Sequence, residues 1–422
     1  MIGRCGSAMR HSMILRALLL AALLAPLGAA LDGSAVAVEE KLTAREQVGK
    51  PVQAAEQLLK QKRYKEAQAK LQEADAVPAK TPYETYVIEA TRAVLALETG
   101  DYPGTIKALD AVLATGILPP SEALKRVETL VQLSYQAKTY PGVIAYGERY
   151  YKEGGSEDGP RQLMAQAYYL EGDFTDAART SRVLMQQDQR AGRKTGETLL
   201  QLLVSSEYKQ KNDAGYRDAL KRLVASYPKK EYWRDLLATV QKQPGFADRL
   251  TLDLDRLMAA TDTLETQDQY MEAAQLALQA GLPGDAKALL NKGYAAGVLG
   301  KGAGAERQQR LAAMAAKQSG EDLKTLPQLA YEADAARDGL PWVKLGEADA
   351  SYRRYDDAIA AYQKGLQKGG LKHPEDTQLH LGVACLHAGQ KDKALAALGA
   401  VTGTDGAHDL AQLWLLAGSP HE

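Results

Sequence analysis

Apolar positions recur three and four residues apart along nearly the whole chain from about Lys50. In the first stretch Ala54, Ala55, Leu58 and Leu59 mark one stripe, and Ala67, Leu71 and Ala74 mark the next. That spacing places apolar side chains on one face of a 3.6-residue period, so it predicts amphipathic helices. No run alternates Val, Ile or Thr between hairpin turns, so strands are not predicted. A longer rhythm lies over the helical one: a turn residue, an aromatic, two spacers, then a small or β-branched residue. It reads Arg63-Tyr64…Ala67, Asp101-Tyr102…Thr105, Thr139-Tyr140…Val143, Asp173-Phe174…Ala177 and Arg354-Tyr355…Ala358. The aromatics at 64, 102, 140 and 174 are 38, 38 and 34 residues apart. A period in that range predicts stacked helix pairs, each too small to bury its own apolar face.

Helix punctuation supports the same division. Pro103, Pro141 and Pro283 are placed to begin a second helix, where a missing amide hydrogen costs nothing. Pro51, Pro78, Pro119, Pro120, Pro160, Pro228, Pro341 and Pro374 fall near expected unit boundaries. Gly100-Asp101, Gly172-Asp173, Asn212-Asp213, Gly281 and Gly389 read as turns inside units, glycine being suited to the left-handed stop. The expectation is an all-α fold, an α-α superhelix of about ten helix pairs. Its plan is a segment 1–37 to be removed, a frayed charged stretch 38–49, repeats over 50–228, divergent helical repeats over 229–336, clearer repeats over 337–403, and a capping helix with tail over 404–422. Residues 305–336 keep helical periodicity and little else. Contacts between neighbours alone would let the last two units be deleted with only gradual loss of stability.

The clearest unit, Trp342-Val343-Lys344-Leu345-Gly346 with Tyr355, Ala358 and Tyr362, resembles the tetratricopeptide repeat, and Leu381-Gly382, Gly389, Ala394 and Leu398 repeat it more weakly. More narrowly, Tyr227-Pro228-Lys229-Lys230-Glu231-Tyr232-Trp233 and Lys368-Gly369-Gly370-Leu371-Lys372 are similar to segments of periplasmic tetratricopeptide proteins. Those proteins accompany TonB-type transducers with their ExbB and ExbD subunits. The resemblance implies a periplasmic adaptor whose partners lie along the first helix of each pair. Transferred here, that face carries Glu128, Gln132 and Tyr135; Gln162, Gln166 and Tyr169; Met271 and Gln275; and Val343 and Glu347. The same residues also fit an ordinary solvated face. The paired-asparagine clamp that one family subtype uses for C-terminal carboxylates is not expected, because Asn212 and Asn291 are the only asparagines.

Composition narrows the reading further. A formal charge of −1 with no block of like charges argues against nucleic acid or an anionic membrane as partner. Tyr outnumbers Phe by 21 to 2, which suits half-wet seams between units. Arg4, Arg10 and Arg16 precede the apolar run 17–24; Pro26 and the small residues after it complete the pattern of a secretory signal. Cleavage fits Ala35-Val36-Ala37 or Gly28-Ala29-Ala30, initiation fits Met1, Met9 or Met13, and an uncleaved anchor is the alternative. After cleavage Cys385 is the lone cysteine, which excludes an internal disulfide and reads as a buried thiol.

Catalytic constellations are not apparent. His380 and His387 lie two turns apart, roughly 10 Å, too far for one metal, and read as surface or groove histidines. Gly300-Lys301-Gly302-Ala303-Gly304 lacks the Lys-Ser or Lys-Thr ending of a phosphate loop. No G-x-S-x-G elbow occurs. The expected function is a non-catalytic periplasmic scaffold binding protein, without cofactor or metal; the alternative is an envelope-biogenesis factor acting on glycan.

Overall fold

The computed structural model describes residues 43–418. The candidate signal, residues 38–42 and the last four residues lie outside the described residues. Twenty α-helices follow one another, α1 (Glu46–Lys60), α2 (Tyr64–Asp75), α3 (Pro82–Thr99), α4 (Tyr102–Ala114), α5 (Pro120–Gln136), α6 (Tyr140–Lys152), α7 (Asp158–Leu170), α8 (Phe174–Arg190), α9 (Glu197–Lys209), α10 (Asp213–Ser226), α11 (Lys230–Gln241), α12 (Thr251–Ala260), α13 (Gln267–Gln279), α14 (Pro283–Ala295), α15 (Ala305–Ala335), α16 (Leu340–Ser351), α17 (Tyr355–Lys368), α18 (Pro374–His387), α19 (Lys391–Gly399) and α20 (Ala407–Gly418). They pack pairwise in a tetratricopeptide-like arrangement. Two compact units divide the chain between Asn212 and Asp213. No helix among the described residues is long and apolar enough to cross a membrane.

The recurrent phrase is a helix stop followed by a helix start. Tyr64, Tyr102, Tyr140, Phe174 and Tyr355 each open the second helix of a pair. Two residues earlier the backbone turns left-handed, at Lys62, Gly100, Lys138, Gly172 and Arg353. The following amide then donates to a carbonyl five residues back, as Asp101 to Ala96 at 2.8 Å and Arg354 to Asp349 at 2.9 Å. Together these contacts close the first helix and aim the next one back along it. Asp101 and Asp173 complete the start by accepting from the amides of Gly104 at 2.9 Å and Asp176 at 3.0 Å. The small positions of the phrase, Ala67, Ala177 and Ala358, are wholly buried.

In the N-terminal unit the core is a series of small clusters, each shared by a pair and the next first helix. Val52, Leu71 and Ile88 join α1, α2 and α3, while Leu97, Leu109 and Leu130 join α3, α4 and α5. In the C-terminal unit Gly346 and Gly382, in successive first helices, let the second helix of each pair approach closely. A Cβ on Gly346 would lie 2.8 Å from the Tyr362 ring, and one on Gly382 would lie 2.4 Å from Leu398.

Several expectations are corrected. Residues 46–49 are helical, not frayed, because Arg45 anchors the start of α1. Its backbone amide and side chain donate to the wholly buried Glu84 at 2.7 to 2.9 Å. The Arg45 guanidinium, against the cost of burial, holds the Glu84 carboxyl down at about 2. Pro51 lies inside α1, between the buried Val48 and Val52, and not at a boundary. Residues 305–335 form one 31-residue helix where a pair was expected. Its first half packs Leu311 and Ala315 with α13 and α14, and its second half packs Leu326 and Ala333 with Trp342 and Leu345. Finally, the C-terminal unit is not held by sequence neighbours alone, as the next section describes.

Candidate binding cavity

The C-terminal unit closes on itself. The segment before α12 meets the first turn of α18 and the segment before α20. Arg249 forks onto Asp376 at 2.7 and 3.0 Å and reaches Asp405 at 2.5 Å. The Ala247 amide donates to the Asp405 carbonyl at 2.8 Å. Phe246 occupies the space beside Gly406, where any Cβ would lie 2.5 Å from its ring. The Asp376 and Asp405 contacts span 127 and 156 residues of sequence. With that clasp made, α12, α14, α16, α17, α18 and α20 line a cavity of about 600 Å3.

One wall is an ion network. Asp253 on α12 accepts from Arg256 Nη1 at 2.8 Å and meets His380 Nε2 at 2.9 Å. Arg256 continues to Asp285 on α14, donating from Nε at 2.9 Å and Nη2 at 2.5 Å. His380 Nδ1 faces Glu347 at 3.5 Å and has no hydrogen-bond partner among the described residues. Burial pushes the Asp253 carboxyl up, but His380 and Arg256 outweigh it and hold it at about 2. Burial likewise depresses His380, and Asp253 with Glu347 overcomes that, so the imidazole titrates above its ordinary value. Removing one partner would strand a charge in a poorly solvated place, which makes the network obligatory once it is buried.

The other wall is aromatic. Tyr355 stacks on His387 with ring centres 4.9 Å apart, and Trp414 meets His387 edge-on at 5.7 Å. Tyr362 is 2% exposed, lines the cavity, and its hydroxyl makes no hydrogen bond among the described residues. Burial and the nearby Glu347 carboxylate push that hydroxyl well above its ordinary range. Ala259, Ala288, Leu289, Val383 and Ala384 supply the apolar remainder. A second cavity, of about 570 Å3, lies between α2, α3 and α4, but its Arg92 already pairs with Asp75 and Glu89.

The residues singled out from sequence fall into three groups. Glu128, Gln132, Tyr135 on α5 and Gln162, Gln166, Tyr169 on α7 share one face of the N-terminal unit. The Tyr135 hydroxyl donates to Gln166 Oε1 at 2.5 Å, and Gln162 is exposed while the others are half-buried. Burial, with Glu157 nearby, raises the Glu128 carboxyl. Met271 and Val343 do not belong to an accessible face: they are 7% and 6% exposed within apolar clusters. Gln275 is half-buried on α13, and Glu347 faces His380. His380 is neither a surface nor an open-groove residue; its side chain is 13% exposed and paired with Asp253. Cys385 is buried, and burial raises its thiol. Asp253, Arg256, Asp285, Arg353, Tyr362 and Trp414 were not legible as a site. They come from five places in the chain and share no local spacing; Tyr355 and Tyr362 were visible only as packing positions.

Neither a protein-family profile nor a curated protein sequence matches the chain. Among solved structures, the TPR2AB domain of yeast Sti1 in complex with pHSP90 aligns over 71% of this chain and 100% of that one, at 12% identity and a TM-score of 0.24. Naa15/Naa10 bound to HypK-THB aligns over 95% of this chain and 70% of that one, at 13% identity and a TM-score of 0.30. Yeast Tom70 aligns over 88% and 95%, at 12% identity and a TM-score of 0.21. Likeness at this level carries no argument about activity; the fold rests on the helix pairing seen directly.

Proposed function

We propose that the protein is a non-catalytic scaffold, exported to the periplasm, that binds protein partners along the first helices of its N-terminal unit. The observation that carries this reading is the face shared by α5 and α7. Tyr135 and Gln166 join the two helices, and Gln132 and Gln162 beside them make no hydrogen bond among the described residues. Such a face offers amide donors and acceptors next to aromatic rings, which suits an extended peptide or an amphipathic helix. Periplasmic residence rests on the basic and apolar pattern of residues 1–37.

The finer reading, an adaptor of a TonB-type complex with ExbB and ExbD, rests on the two segments that resemble such proteins. Both segments also carry packing: Trp233 is buried, and Lys368 donates to the carbonyls of Ala333 and Asp334 at 3.0 and 2.9 Å. Crosslinking in envelope extracts, with wild type and a Gln132→Arg, Gln162→Arg double variant, tests the reading. Loss of one discrete crosslinked partner is expected. Identical crosslinked species from both proteins, or selective binding of the wild type to a glycan array, would remove the protein-binding face.

A further inference from the structure

The cavity of the C-terminal unit has a charge pattern that its own residues do not complete. Its two carboxylates are committed, Asp253 to Arg256 and His380, Asp285 to Arg256. Lys292 at its edge is committed to Asp262 at 2.6 Å. Arg353 remains: it lines the cavity and has no carboxylate within salt-bridge distance among the described residues. The turn geometry explains its position. Arg353 sits at the left-handed residue between α16 and α17, with φ of 61°, where glycine is the strain-free choice. The same position in other turns is held by glycine, at Gly100, Gly172 and Gly281, or by lysine, at Lys62, Lys138 and Lys211.

The stacked pair Tyr355 and His387, with Trp414 against it, forms a continuous aromatic wall. Burial and then Arg353 lower the His387 imidazole, and Asp285 opposes them. Tyr362 also lines the cavity, and its hydroxyl makes no hydrogen bond among the described residues. A volume of about 600 Å3 is in the range of small-molecule sites and large for one amino-acid side chain.

We infer that this cavity binds a small organic anion with a planar or aromatic body, the acid group meeting Arg353 and the body lying against Tyr355, His387 and Trp414. The Tyr362 hydroxyl and the Asn291 amide are available donors for a polar atom on that body. Neutral aromatics lack the group that Arg353 completes, and organic cations meet the uncompensated guanidinium.

Calorimetric titration of the full-length mature chain with 4-phenylbutyrate, 4-phenylbutyramide and 4-phenylbutylammonium tests the inference. A fourth arm uses a pentapeptide ending in a free phenylalanine carboxylate, which separates a free acid from a chain terminus. The acid should bind at least about tenfold more tightly than the amide, and the ammonium more weakly still. Arg353→Gln, an exposed position, should bring the acid down to the amide's affinity. Arg354→Gln, whose side chain pairs with Asp349 and Asp357, should leave the acid unchanged. Equal affinity for acid and ammonium, no detectable heat with the acid, or acid binding indifferent to Arg353→Gln would overturn the inference. Tighter binding of the peptide than of the free acid would overturn the small-molecule assignment.

Discussion

Replacing Arg249 with alanine separates a closed C-terminal unit from a stack held only by neighbours. The guanidinium makes hydrogen bonds of 2.7 and 3.0 Å to Asp376 and 2.5 Å to Asp405. The three side chains are 30%, 18% and 31% exposed, so the cluster lies between a surface ion pair and a buried one. Surface pairs contribute up to about 1 kcal/mol, and breaking buried ones costs about 3–5 kcal/mol. The geometry is forked, and the variant leaves two carboxylates facing each other, so we expect a loss of about 2–3 kcal/mol. In a unit of this size that corresponds to a melting shift of about 4–12 °C. The diagnostic measurement is hydrogen exchange. Protection in α20 and in residues 246–257 should fall together by roughly thirty- to a hundredfold, while α13 and α14 change little. Arg249→Lys should restore part of it, since an ammonium offers no planar fork for both carboxylates. Unchanged protection in α20, or loss confined to α18 and α19, would refute the closure and return the unit to an open stack.

Two further outcomes follow from the packing and the charges. Gly346→Ala puts a methyl group 2.8 Å from the ring of the buried Tyr362, so the ring or its helix must shift, and should cost about 1–3 kcal/mol by urea titration; a neutral result would mean the α16–α17 crossing is looser than described. The C-terminal unit should also lose stability as pH rises. His380 is raised above 6.5 when folded, so its contribution is complete below that value and is lost as pH climbs through the higher folded value. Asp255 is pushed from 3.8 up to about 7 by burial and then by Glu272 and Asp253, so it weakens the fold progressively across that interval. His380→Gln should flatten the upper part of the profile and Asp255→Asn the lower; a wild-type profile that is flat from pH 4 to 9 would contradict both.

Much of the fold was legible because its determinants are local. A helix stop, a cap and a helix start occupy a handful of consecutive residues, so Gly100-Asp101-Tyr102 or Gly172-Asp173-Phe174 announces its geometry without help from elsewhere. The shared face of Tyr135 and Gln166 was legible for the same reason, since the repeat places equivalent residues of α5 and α7 side by side. Burial was less legible: Met271 and Val343 occupy first helices as expected but turn into the core, because a helix face is assigned only once its neighbours are in place. The long helix α15 escaped notice because it keeps the helical period while lacking the internal turn that marks a pair. By itself, then, the chain determined helix type, pairing and the order of the stack. Only the tertiary structure decided that Arg249 meets Asp376 and Asp405, that His380 meets Asp253, and that Arg353 lines the cavity with Tyr355 and Trp414. Contacts across more than a hundred residues depend on small rotations accumulated from pair to pair, and no local spacing of residues encodes that sum.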